Sequence, residues 1–281
     1  MSLTFDQAAP PAIPVFDFDR IAEIFAGLAV QAGLAVMKVY AEGSGHRIKA
    51  DSSPVCEADE KAEAIILAGL AAQMPGVAVL AEESVSRGEI PACSRAMILV
   101  DPLDGTREFL GRNGEFTVNI ALVVDGAPCA GAVYAPAIGK LWFAGREAFS
   151  CDVQPGAALP QRGFWRAIHV RVAPEGKMVA LASRSHADAE TEAFLATLPV
   201  SERRSSGSSL KFCSLAEGGA DVYPRFGPTM EWDTAAGDAV LRAAGGSVLA
   251  IDGAPLRYGK SGEHYRNAPF VAWGDRGPQA G

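Results

Sequence analysis

The chain has 281 residues, 49% of them hydrophobic, and a formal net charge of −8 with a pI near 5.1. That is enough apolar material for a sizeable core, and the acidic balance argues against a nucleic-acid polymer as partner, because phosphate backbones select basic faces. Cys56, Cys93, Cys129, Cys151 and Cys213 include no C-x-x-C pair, which speaks against a disulfide framework or a zinc site and fits a reducing compartment.

The start of the chain is acidic and broken by Pro10, Pro11 and Pro14, unlike a signal peptide, and no later run reads as membrane-spanning. The expected location is therefore the cytoplasm. Peripheral association with the inner face of the membrane, and the oligomeric state, stay open. Residues 1–15 read as a flexible lead-in.

Helical spacing of Ile21, Ile24, Phe25, Leu28, Val36 and Tyr40 predicts a helix from Ile21 to Tyr40. A second helix is expected from Glu57 to about Ala72, with Glu57, Asp59 and Glu60 in its first turn and Met74-Pro75-Gly76 as its stop. Short apolar runs follow at Val77–Ala81, Met97–Val100, Phe116–Val124, Gly131–Tyr134 and Leu141–Ala144, and the turn signal Asp125-Gly126-Ala127-Pro128 points to hairpins.

The later half mixes a strand near Met178–Ala182, helices near Ala187–Leu198 and Ser208–Glu217, a strand near Asp221–Pro224 and a helix from Asp233 to Ala244. This irregular alternation predicts a layered α/β (α+β) architecture rather than a strict βαβ series. A single domain over 16–281 is expected, with two halves meeting near Cys151–Gly163 as the alternative.

Chemistry concentrates in Asp101-Pro102-Leu103-Asp104-Gly105-Thr106. A strand ending in Asp-x-x-Asp can turn two carboxylates and the Leu103 carbonyl towards one point, which suits a hard cation. If a helix starts near Thr106, the amides of Gly105 and Thr106 offer an anion site beside it. The plainer reading is that the aspartates shape a turn and cap the helix.

Glu82-Glu83-Ser84 ends another strand-like run, which suggests a shared acidic centre, although a solvated loop would look the same. Asp233 stands at the expected N-cap of the last helix. Asp51 lies in a polar turn, free to face a cleft.

Glu82-Glu83-Ser84, DPLDGT and WDTAAGDAV together resemble the lithium-sensitive, magnesium-dependent phosphatase superfamily that includes inositol monophosphatase and fructose-1,6-bisphosphatase. REFLGRNGEFTVNIALV, VYAP, SRSHAD, GSSLKFC and YPRFGPT are similar to its CysQ-type 3′(2′),5′-bisphosphate nucleotidases, and the likeness runs from Ile21 to Phe270. The resemblance implies an inositol-monophosphatase-like α/β/α/β/α sandwich. It also implies two or three Mg2+ ions held by Glu82, Asp101, the Leu103 carbonyl, Asp104 and Asp233, with Asp51 supporting a weaker one.

By the same resemblance, Asp51 and Thr106 orient and deprotonate the attacking water, and Glu83 supports the ligands from behind. Gly105 and Thr106 hold phosphate oxygens, while His186, Ser208, Lys211, Arg225 and Asp233 contact the nucleotide. Cys56 departs from the Thr that relatives often carry, which removes a hydroxyl near the Asp51 turn. The expected reaction is hydrolysis of 3′-phosphoadenosine 5′-phosphate to AMP and phosphate in sulfur assimilation, with the 3′-phosphosulfate analogue as a second substrate. An inositol-monophosphatase-like or sugar phosphatase is the alternative enzyme, and a non-catalytic nucleotide or metal sensor is the alternative of another class.

Overall fold

The computed structural model describes residues 15–43, 46–48, 54–92, 94–183 and 189–275. Asp51, His186, Cys93 and nearly all of the expected lead-in lie outside them.

Helix α1 (Phe18–Glu42) starts where the Asp17 carboxylate accepts the Arg20 N–H at 3.2 Å, and ends at Gly43, whose φ of 72° is the left-handed cap glycine tolerates. It is the one helix among the described residues long and apolar enough to cross a membrane, which corrects the expectation that no run reaches that length. Its apolar face, including Phe25, Val30 and Val36, is instead packed into the core.

A short hairpin, β1 (His46–Ile48) with β2 (Pro54–Cys56), leads to α2 (Glu57–Gln73). Then come β3 (Ala78–Ala81), α3 (Glu82–Ser86), β4 (Ala96–Asp104), α4 (Thr106–Leu110), β5 (Thr117–Val124), β6 (Ala127–Ala135), β7 (Lys140–Ala144), β8 (Ala148–Asp152) and β9 (Arg166–Ala167). The last seven strands form one sheet in chain order, parallel only at β3–β4. At the β5–β6 turn, Asp125 and Gly126 both have positive φ, 48° and 76°, as a two-residue hairpin demands.

The second sheet has the order β11-β10-β12-β14-β13, built from β10 (Met178–Ser183), β11 (Val200–Ser206), β12 (Val222–Arg225), β13 (Ser247–Ala250) and β14 (Phe270–Trp273). Helices α5 (Ala189–Leu195), α6 (Leu210–Ala216) and α7 (Glu231–Ala243) connect these strands.

Five layers result, as expected. α1 and α2 cover one face of the large sheet, α6 and α7 lie between the sheets, and α5 packs outside the small sheet through Leu195, Val222 and Trp273. The central strands are apolar throughout because both faces are covered. Along β4, Ile98 and Val100 enter the core under α1 and α2, while Met97 and Leu99 enter the core under α7.

That alternation decides where the aspartates point. Asp101 pairs with Asn119, but Asp104 pairs with Thr117, so three steps on β4 oppose two on β5. The extra residue is a β-bulge, and it contains Pro102, which has no N–H to offer a ladder. With strict period-two alternation Asp104 would face away from Asp101. The bulge sends Leu103 into the α1/α2 core and returns Asp104 to the side of Asp101.

Several expectations move. The strand expected to stop at Val100 runs on to Asp104, and α5 is shorter than Ala187–Leu198, whose first residues lie outside the described ones. Helix α7 begins at Glu231, so Asp233 is in its first turn and is not the N-cap; Met230 holds that position. The cause is Glu231, a fully buried carboxylate that accepts the Gly259 and Lys260 N–H groups at 2.6 and 2.9 Å and pulls the helix start forward.

Candidate active site

Where the β4 bulge, α4, α6, β12 and the start of α7 meet, they enclose a cleft of about 280 Å³. Every expected site residue within the described residues lines it, with the exception of Glu83.

One side is acidic. Asp101, only 1% exposed, takes the Leu103 N–H on Oδ1 at 3.0 Å. Asp233 takes the Met230 N–H on Oδ2 at 2.8 Å, and Asn119 Nδ2 donates to Asp104 Oδ2 at 3.4 Å. Glu82 joins them from the first turn of α3 rather than from a loop.

Burial pushes the Asp101 carboxyl well above the ordinary carboxylate range, and Glu82, Asp104 and Asp233 push it further. Asp233 rises for the same reasons, burial first, then Asp104 and Glu82. Asp104 is raised by burial while Lys211 and Ser209 pull it back. A buried set of carboxylates that destabilise one another's charge fits a hard cation, and an all-oxygen donor set fits Mg2+. Among the described residues no three such side chains are closed into one ligand cage; the carboxylates share the cleft as neighbours.

The Leu103 carbonyl also borders the cleft and accepts the Thr106 hydroxyl at 3.3 Å. The Asp51 partner expected for Thr106 lies outside the described residues. Gly105, just before Thr106, has φ +90°, and a Cβ there would come within 3.1 Å of the Glu115 carbonyl and 3.3 Å of Ser208 Cβ. Both conformation and space therefore require glycine. Helix α4 has only five residues, so an anion held here would rest on individual amides more than on a summed dipole.

Glu83 is buried but does not border the cleft. Its N–H donates to Glu63 Oε2 at 2.8 Å, and Glu63 also accepts the Ser84 hydroxyl at 2.8 Å and Arg87 Nη2 at 3.1 Å. Glu63 thereby fixes the first turn of α3, the turn that carries Glu82. The helical pattern of α2 gave no sign of that role.

The opposite side is cationic. Lys211, 4% exposed, donates from Nζ to the carbonyls of Ser206 and Ser208 at 3.1 and 2.6 Å. Burial pulls its pKa down to about 8, with Asp104 working against that and Arg225 adding to it. Arg225, which in isolation would pass for a surface ion-pair residue, is 7% exposed and donates to the Pro228 carbonyl at 3.0 Å. Its Nε and the Ser208 hydroxyl are buried without a partner, so the lining keeps polar capacity uncommitted. Ser208 itself is left-handed at φ 45°. His186 lies outside the described residues.

Sequence reasoning missed Asn119, Ser209, Glu108 and Glu115. Glu115 Oε2 accepts the Gly207 N–H at 2.8 Å and anchors the turn before α6. Asn119 was discoverable only from its register opposite Asp101.

The inositol monophosphatase family matches the chain over residues 17–274, and the chain belongs to that family; it is a phosphatase whose acidic site lies between two sheets. Among curated relatives, the 3′(2′),5′-bisphosphate nucleotidase CysQ of Escherichia coli strain K12 is 47% identical over 233 residues, covering 82% of this chain and 91% of the relative. The crystal structure of CysQ from Bacteroides thetaiotaomicron, a bacterial member of the family, aligns with a TM-score of 0.76 and 40% identity, covering 92% of this chain and 99% of that one. Inositol monophosphatase from Anabaena sp. PCC 7120 aligns with a TM-score of 0.71 and 25% identity, covering 92% of each chain.

Proposed function

We propose that the protein is a Mg2+-dependent 3′(2′),5′-bisphosphate nucleotidase that removes the 3′-phosphate of 3′-phosphoadenosine 5′-phosphate to give AMP and phosphate, in sulfur assimilation in the cytoplasm. The observation that carries this reading is the cleft's division into an acidic side and a buried cationic side, Lys211 with Arg225. The 3′-phosphosulfate analogue is a second substrate. The core shared by both sheets and α7 supports treating 16–281 as a single phosphatase domain.

Glu82, Asp101, Asp104, Asp233 and the Leu103 carbonyl would hold two or three Mg2+ ions, with Asp51 completing the set. When bound, such ions supply charge neutralisation at the phosphate and a more acidic water. Thr106 Oγ1, with Asp51, orients that water and takes up its proton. The Gly105 and Thr106 amides receive the phosphate oxygens, and Lys211, Arg225, Ser208 and His186 hold the rest of the nucleotide through charge-assisted hydrogen bonds.

Phosphate release at fixed Mg2+ from the bisphosphate nucleotide, inositol 1-phosphate and fructose 1,6-bisphosphate tests the reading. The nucleotide is expected to be hydrolysed far fastest, and lithium is expected to inhibit. Preference for inositol 1-phosphate would overturn the substrate assignment.

A further inference from the structure

Ser209 occupies the N-cap position of α6, where a serine hydroxyl ordinarily accepts an N–H from the helix's first turn. Here it makes no such bond. The hydroxyl donates to the Asp233 carbonyl at 2.8 Å and accepts from Asn119 Nδ2 at 3.0 Å. Asn119 Nδ2 also reaches Asp104 Oδ2, at 3.4 Å. Both residues are 1% exposed.

The Asn119 amide is equally telling. Nδ2 has two acceptors, whereas Oδ1 is buried with no partner. Turning the amide over would set its oxygen against the Asp104 carboxylate, so the orientation is fixed by the donors. An orphaned buried acceptor is destabilising, and the fold retains it at this position.

We infer that Ser209 and Asn119 are a positioning pair that holds Asp104 and Asp233 at a set separation and ties both to the turn carrying Ser208 and Lys211. A chain of donors running from Asn119 through the Ser209 hydroxyl to Asp233 crosses from β5 to α6 to α7, the elements that carry or flank the two sides of the cleft. Its members polarise one another, so the pair acts as one unit. The inference rests on the assignment of Asp104 and Asp233 as Mg2+ ligands in the proposed function.

The test is isothermal titration of full-length protein with Mg2+ alone, without nucleotide, on Ser209→Ala, Asn119→Ala and the double variant, with melting in chelator as the folding control. Each single variant is expected to bind Mg2+ roughly tenfold more weakly, the range for residues that orient metal ligands. The double variant is expected to be no weaker than the worse single one. Unchanged Mg2+ affinity in either folded single variant, or losses that multiply in the double, overturns the pair. If Ser209→Ala does not fold, Asn119→Ala alone decides on the same criterion. Because nucleotide is absent, a failed substrate panel leaves this result standing, and the converse also holds.

Discussion

Asp101 shows how much of the site is electrostatics held in tension. Its carboxylate is buried beside three others that all oppose its charge, with the Leu103 N–H working the other way. Replacing Asp101 with Asn keeps the shape and removes one charge, so two opposite effects are expected. Turnover should fall by roughly 100-fold or more, as for loss of a group aimed at reaction charge. Metal-free protein should melt at the same or a higher temperature than the parent, and its gain in Tm on adding Mg2+ should shrink. Phosphate release and melting with and without Mg2+ measure both, and a sensor would keep its nucleotide response in the same variant.

Lys211 gives a pH dependence with a definite sign. Its pKa, drawn down to about 8 by burial, leaves the side chain charged below that value and neutral above it. KM for the bisphosphate nucleotide is therefore expected to rise as pH passes upward through about 8, and Lys211→Met should raise KM at lower pH and flatten the profile. Stability runs the other way. Between pH 8 and the ordinary lysine value of 10.5 the unfolded chain binds the extra proton, so this residue adds stability as pH rises through that window.

At this scale the sequence was legible where chemistry is local. Asp101, Leu103, Asp104, Gly105 and Thr106 are consecutive or nearly so, and the structure sets them together at the cleft. Asn119 and Ser209 were not legible. An asparagine inside an apolar strand and a serine before a helix both have ordinary readings, and only cross-strand register and the approach of α7 reveal their partners.

Among the elements, the α6–α7 contact sets the distance between the two sides of the cleft. Gly237 on α7 lies so close to Phe212 on α6 that a Cβ there would fall 2.6 Å from the ring. Gly237→Ala gains about 1 kcal/mol of helix propensity but forces a core overlap that costs about 1–3 kcal/mol and shifts a helix. Net destabilisation of about 1 kcal/mol is expected in urea unfolding, with KM raised more than kcat falls, because Lys211 moves with α6.

Elements whose signals are local were readable. The Asp125-Gly126 turn gave its hairpin, and the periodicity of α1 gave its helix. The β4 bulge was not, because it is defined by counting residues on β5. Strand β11 was missed because Val200–Ser206 is a polar edge with most of its residues exposed, so nothing in it alternates between core and solvent. The start of α7 was misplaced because Glu231 owes its burial to Gly259 and Lys260, which are far along the chain.

For the molecule as a whole, the raised carboxylates link fold stability to cation. Asp101, Asp104 and Asp233 hold protons in the folded state at pH values where the unfolded chain has released them. Stability of metal-free protein is therefore expected to fall as pH rises from the ordinary carboxylate range towards neutrality. Added Mg2+ should reverse that loss, by about 2.7 kcal/mol at a hundredfold excess over its Kd. Melting curves in chelator and in Mg2+ across this pH range measure it; the gap between the two should widen with pH, and a constant gap would count against the shared acidic centre.

The bulge and the α6 turn belong to different sheets' connections, and that division has a consequence for descent. The carboxylates proposed to hold Mg2+ come mainly from the large sheet and the helices that follow its strands, whereas Lys211 and Arg225, proposed to hold the nucleotide, come from α6 and β12 of the small one. Substitutions confined to the second set can exchange one phosphate ester for another while the cutting apparatus is inherited intact. A cleft divided this way separates what is held from how it is cut.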